Sequence, residues 1–112
     1  MSQPSLSLVH LTRPPLRPGP GAPPLLLMLH GIGSNEGDLF SLAPYLDERF
    51  LVVSARAPIV LGPGAYGWYH VDFTATGPVV NGREAEESRK LLASFVEECG
   101  PICGDPRLIG VV

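Results

Sequence analysis

Residues Leu25 to Gly33, LLLMLHGIG, decide how the chain folds, because an unbroken apolar run stops there at a His-Gly-x-Gly turn. The apolar residues Leu25 to Leu29 are far too few for a membrane span and few for a helix. Pro23 and Pro24 before them and Gly31 and Gly33 after them bound a strand. A run apolar on both faces predicts a central strand of a parallel sheet covered by helices on both sides. In such sheets chemistry collects just beyond the carboxyl ends of the strands, where His30 to Asn35 fall. Gly31 and Gly33 let the backbone turn sharply and approach another group with no Cβ in the way.

Toward the amino terminus, Leu6 and Leu8 alternate with Ser5 and Ser7, and Leu6 to Thr12 reads as an outer strand with one solvated face. Between the two strands, Arg13 to Pro24 holds so many prolines that it lacks ladder donors and runs as an extended surface connection. A polyproline ligand is the alternative reading of that segment.

Toward the carboxyl terminus, Asn35 is placed to cap a helix, with Asp38 three residues on and Glu36 adding negative charge to the first turn. Leu39, Leu42, Ala43 and Leu46 follow at helical spacing, and Pro44 predicts a kink or two short pieces. Phe50 to Ser54, FLVVS, is a second buried strand that ends at Ala57-Pro58. Pro58 to Gly82 reads as a long glycine- and aromatic-rich loop of the length that usually carries function. Asn81 with Glu84 forms a capping-box signature, and Ala85, Ser88, Leu92, Phe95 and Cys99 share one helical face before Gly100 and Pro101 end it. Arg107 to Val112, RLIGVV, is a third buried strand.

A chain of 112 residues, 45% of them hydrophobic, is at most one domain that buries a core. Eight basic against 11 acidic residues leave a net charge of -3 and no basic stripe for a phosphate backbone, which argues against nucleic acid. The opening MSQPSLSLVHL has neither a basic n-region nor an apolar h-region, so the expectation is a cytoplasmic protein without a membrane span. Cys99 and Cys103 lack a neighbouring His or second cysteine pair to complete a zinc site, so they are expected to be ordinary reduced thiols, with no metal and no cofactor.

Two readings of the glycine turn compete. A dinucleotide loop of the GxGxxG kind needs a third glycine where Glu36 stands, and Glu36 with Asp38 would repel a pyrophosphate. No carboxylate ends the Phe50 strand to take a ribose hydroxyl; Arg56 follows it instead. The other reading is an oxyanion hole, since a strand running into HGxG and then a helix is the loop whose N–H groups stabilise a tetrahedral intermediate in α/β-hydrolases.

From Leu25 to Glu98 the chain resembles the phospholipase/carboxylesterase family of α/β-hydrolase serine esterases, the esterases related to acyl-protein thioesterases. LLLMLHGIGSNEGDLFSLAPYLDERFLVVSARAP, YGWYHVDF and NGREAEESRKLLASFVEE occur in the order such proteins have. The resemblance implies an α/β fold, a truncated α/β-hydrolase with a mostly parallel sheet and flanking helices, in which residues 1–112 form a single partial domain. Residues 13–24 are then the Pro-rich inter-strand connection and 58–82 the Gly/aromatic-rich loop. It implies hydrolysis of carboxylic or thiol esters, with the backbone N–H of Ile32 as an oxyanion donor and Gly31 and Gly33 setting the geometry of the turn. His30 becomes a structural hydrogen-bonding group rather than a base. Trp68 and Tyr69 line the acyl or alcohol pocket, with packing of the loop onto the sheet as their alternative role. His70 and Asp72, two apart with no nucleophile nearby, read as loop hydrogen-bonding groups rather than a dyad.

The GxSxG elbow, the acid and the later histidine of such enzymes are absent, and Ser34, Ser41, Ser54, Ser88 and Ser94 sit in no such turn. The expectation is an N-terminal half, inactive by itself, that acts on a small ester or thioester substrate when completed. A non-catalytic module binding a partner through the Trp68 loop or the Pro-rich connection, and a non-functional truncated product, are the alternatives. A half-sheet is also expected to leave one face without helices and the last strand as an open edge, with Leu108, Ile109, Val111 and Val112 exposed and self-association as the result.

Overall fold

The computed structural model describes residues 7–17, 19, 21, 23–103 and 105–111, and for 100–103 and 105–111 the backbone path alone. Strand β1 (His10–Arg13), β2 (Pro24–Leu29), β3 (Leu51–Ala55) and β8 (Asp105–Val111) form one sheet in the order β1-β3-β2-β8. The β3, β2 and β8 strands run parallel, and β1 pairs antiparallel to β3 at one edge. The sheet is therefore parallel through its centre and mixed at the β1 side.

The apolar run behaves as its two-sided composition requires. Leu25 and Leu27 join Leu51, Val53 and Ala55 on one face, where Phe95 and Cys99 of helix α2 (Gly82–Cys103) cover them. Leu26 and Met28 join Val52 on the other face, under Ala43 and the partly buried Leu39 and Phe40 of helix α1 (Glu36–Phe40). Alternate residues of one strand thus feed two separate cores, as the period of two dictates. The expectation of a face left without cover is corrected over β2 and β3, because α1 and the turn after it close that side.

Pro44 divides the first helical segment as expected: α1 ends at Phe40 and a separate 3-10 turn spans Ala43–Tyr45. A broken helix leaves carbonyls without intrahelical donors. Arg13 adds donors across the break, its guanidinium reaching the carbonyls of Ala43, Asp47 and Phe50 at 2.6, 2.8 and 3.0 Å, of which Ala43 and Asp47 also accept the Leu46 and Phe50 N–H groups.

Several boundaries differ from the sequence reading. The outer strand starts at His10, not Leu6, because Ser7 turns its N–H to Glu98 of α2 at 2.7 Å; Leu6 itself lies outside the described residues. Helix α2 continues past Gly100 and Pro101 to Cys103, since a proline in the last turn removes one donor where little helix remains to break. Strand β8 begins two residues early, at Asp105, and its register against β2 shifts between Pro24 and Leu26. The exposure expected of Leu108, Ile109, Val111 and Val112 lies outside the described residues.

The segment 58–82 is not a loop. It folds into two antiparallel ribbons, β4 (Ile59–Gly62) with β5 (Ala65–Gly67), and β6 (Val71–Thr74) with β7 (Gly77–Val80). In the first, Pro63 fixes φ and Gly64 takes φ +66°, the Pro-Gly order that suits a type II turn. No helix among the described residues is long and apolar enough to cross a membrane.

Candidate functional site

Strand β2 delivers its last residue to a turn that is fixed from three directions. The first is His30, which is buried with both ring nitrogens engaged. Nε2 accepts the Ala57 N–H at 3.0 Å, so it carries a lone pair, and Nδ1, 2.7 Å from the Gly31 carbonyl oxygen, therefore carries the proton and donates it. With its lone pair already used, this imidazole is a bracket between the ends of β2 and β3. It is not arranged as a base.

The second is Trp68. Its indole N–H donates to the His30 carbonyl at 2.9 Å, its ring lies 5.6 Å from the His30 ring, and its body packs on the α2-side core. The buried Ser88 hydroxyl of α2 in turn donates to the Trp68 carbonyl. Tryptophan here spends its polar handle on the strand end.

The third is the β4–β5 ribbon. Gly33, at φ +85°, donates its N–H to the Tyr66 carbonyl at 2.8 Å, and Tyr66 donates back to the Ser34 carbonyl at 2.8 Å. The Asn35 side chain caps α1 by accepting from Gly37 and donates to the Gly64 carbonyl at 3.1 Å. The N–H groups of Gly33 and Ser34 are thus consumed, the latter by the Gly31 carbonyl at 3.1 Å. Among the described residues, the N–H of Ile32, the residue before them, donates to no acceptor. The Ile32 side chain, 46% exposed, lies over Gly67, where a Cβ would sit 3.2 Å from Ile32 Cγ1 and 2.8 Å from Leu61 Cδ1.

A charged pair closes the far side of the turn. Arg56, just past β3, makes a two-pronged contact with Glu36 of α1, Nε to Oε1 at 2.9 Å and Nη2 to Oε2 at 2.5 Å. The Arg56 guanidinium also sits 4.4 Å from the centroid of the Tyr66 ring. Hydrogen bonding to Arg56 holds the Glu36 carboxyl below the usual glutamate range against the opposing effect of its burial. Ser54 of β3 donates to the Glu36 carbonyl at 2.7 Å, so α1 is tied to β3 by side chain and backbone together.

Of the residues singled out in the sequence, Gly31, Ile32 and Gly33 form this turn and Trp68 supports it from beneath. Tyr69 is half-buried beside Trp68. His70 and Asp72 form no dyad. His70 pairs with Glu84, whose carboxylate receives both the His70 backbone N–H and Nδ1 at 2.9 Å, and Asp72 is an exposed residue of β6. The capping box is correspondingly one-sided: Asn81 Oδ1 accepts the Glu84 N–H at 3.1 Å, while the Asn81 N–H goes to the His70 carbonyl. Sequence reasoning missed Arg56 and Tyr66 as parts of the site. The Pro63-Gly64 dipeptide between two short apolar runs was the signal for the ribbon, but nothing local marks Glu36 as the partner of Arg56. Among the described residues, no cluster of three or more His, Cys, Asp or Glu side chains is arranged to hold a metal ion.

No family model matches the chain, and no curated protein matches it. Among solved structures, the crystal structure of the Bacillus cereus carboxylesterase superposes on it with a TM-score of 0.65 at 26% sequence identity, over 84% of this chain and 41% of that one. The chain thus spans less than half the length of the enzyme it matches. That likeness supports an esterase-like relation within the α/β-hydrolases.

Proposed function

We propose that the HGIG turn is half of an oxyanion hole, and that this chain is the N-terminal portion of a serine esterase site of the carboxylesterase, phospholipase or thioesterase kind. The observation that carries the proposal is the unengaged Ile32 N–H just past the carboxyl end of β2, held between the Gly31 carbonyl, which accepts from Ser34 and His30, and the Gly33 N–H, which donates to Tyr66. A backbone donor fixed in advance where negative charge develops needs no reorganisation during the reaction, which is how such groups lower barriers. In acyl transfer of this type a serine oxygen attacks the ester carbonyl, the carbonyl oxygen becomes negative, and the Ile32 N–H donates to it until the alcohol or thiol leaves. Gly31 and Gly33 admit the turn, and His30 and Trp68 keep it rigid. In this reading Trp68 and Tyr69 would contribute to the pocket for the acyl or alcohol group. The serine, acid and base are not among these 112 residues.

The test joins this chain to the remainder of the carboxylesterase it resembles and follows hydrolysis of a short p-nitrophenyl ester. Ile32→Pro removes the donor and is expected to lower kcat by about a hundredfold or more, whereas Ile32→Ala keeps the N–H and is expected to stay within about threefold. Equal turnover in the proline variant rejects the assignment.

A further inference from the structure

We propose that Arg56 is a positioning residue for the glycine turn, acting through Tyr66 and Glu36, an inference that rests on the oxyanion reading of Ile32. The contacts form a closed circuit. Glu36 begins α1, directly after the turn; Arg56 grips it with two prongs; the same guanidinium lies against the Tyr66 ring; and the Tyr66 backbone exchanges hydrogen bonds with Gly33 and Ser34. The turn is therefore held between two elements, α1 and the β4–β5 ribbon, that contact one cation. Glu36 is well shielded, its side chain 12% exposed against 32% for Arg56, and the planar fork of arginine fits a carboxylate edge while its face remains available to an aromatic ring. Gly67 completes the arrangement from the ribbon side, because its missing Cβ leaves room for the side chains of Leu61 and Ile32. Neither Arg56 nor Tyr66 touches the position of the reacting carbonyl in this scheme. Their role is to fix where the Ile32 N–H sits.

The test uses backbone amide exchange and acetate as a small oxyanion probe on the isotope-labelled chain. Arg56→Met is expected to speed exchange of the Gly33, Ser34 and Tyr66 amides about tenfold, while the Leu27, Met28, Val52 and Val53 amides change by less than about twofold. Arg56→Lys keeps the charge and loses the fork, and is expected to fall between the two. Gly67→Ala presses on Leu61 and Ile32 without changing Arg56, and is expected to reproduce the faster turn exchange by an independent route. Acetate at millimolar concentration is expected to shift the Ile32 amide resonance, and Arg56→Met to weaken that response by about threefold or more. Acceleration spread evenly over core and turn overturns the positioning role, and so does an Ile32 response that Arg56→Met leaves unchanged. Exchange confined to the turn with no Ile32 response to acetate in any variant sustains the brace and rejects the oxyanion reading beneath it.

Discussion

Replacing His30 by Phe tests whether the histidine is a bracket, and the size of the effect follows from what it leaves behind. The ring contact with Trp68 survives in kind, because Phe keeps an aromatic ring at the same place, and the Trp68 N–H still reaches the His30 backbone carbonyl. Two backbone groups lose a hydrogen bond. The Gly31 carbonyl keeps the Ser34 N–H and belongs to an exposed residue, where water can replace the lost donor. The Ala57 N–H belongs to a residue only 1% exposed and has no such recourse. An orphaned buried donor costs about 1–3 kcal/mol, so the expected loss is about 2 kcal/mol. With a urea m-value near ~1–2 kcal/mol/M for a chain of this size, the unfolding midpoint falls by about 1–2 M at unchanged slope. A midpoint within ~0.3 M of the parent chain would refute the bracket, because the error of such a measurement is smaller than the predicted shift.

Three further outcomes are expected. The purified chain is expected not to be labelled by a fluorophosphonate serine-hydrolase probe above the rate of heat-denatured protein, since its sequence contains no GxSxG elbow; faster labelling of the native chain contradicts this. The Glu36 carboxyl titrates below its unfolded value in the folded chain, so its pairing contributes stability above the ordinary glutamate range near ~4.3 and loses it as pH falls below that. Glu36→Gln is accordingly less stable than the parent by about 1 kcal/mol at pH near ~7, discounted for the partial exposure of Arg56, and the gap closes in acid; a gap independent of pH counts against the pairing. Finally, β8 pairs with β2 alone among the described strands, which leaves its other edge open, so size-exclusion chromatography is expected to give a dimer or larger species at micromolar concentration; a monomer with one cooperative denaturant transition rejects association through that edge.

What could be read from the sequence was what local chemistry decides. Five apolar residues between prolines and glycines specify a strand covered on both faces, and Leu25 to Leu29 supply two cores. Asn35 and Asn81 cap helices because a short side-chain oxygen reaches the next turn's N–H wherever such a residue begins a helix. Pro44 breaks a helix for want of one N–H. What could not be read was the choice among partners distant in the chain. Glu36 had two local roles available, as first-turn charge and as repulsion against a phosphate, yet its actual partner is Arg56 at the end of the next strand. Glu84 had a capping-box role and spends its carboxylate on His70 instead.

Those two departures share a cause. A carboxylate in the first turn of a helix gains only a modest interaction from the helix terminus, about 0.3–1 kcal/mol, whereas a cation or N–H donor brought alongside by another strand offers a directed charge-assisted bond. Where the fold presents such a donor, the local motif loses. In this chain both diversions fall beside the glycine turn or the ribbons that frame it, one binding α1 to the end of β3 and the other binding α2 to the start of β6. The helices' own starting residues thus become the fastenings of the site. The unengaged N–H of Ile32 is left between a bonded Gly31 carbonyl and a bonded Gly33 N–H, which is why its position, rather than any side chain in the turn, is the feature on which a catalytic reading has to stand or fall.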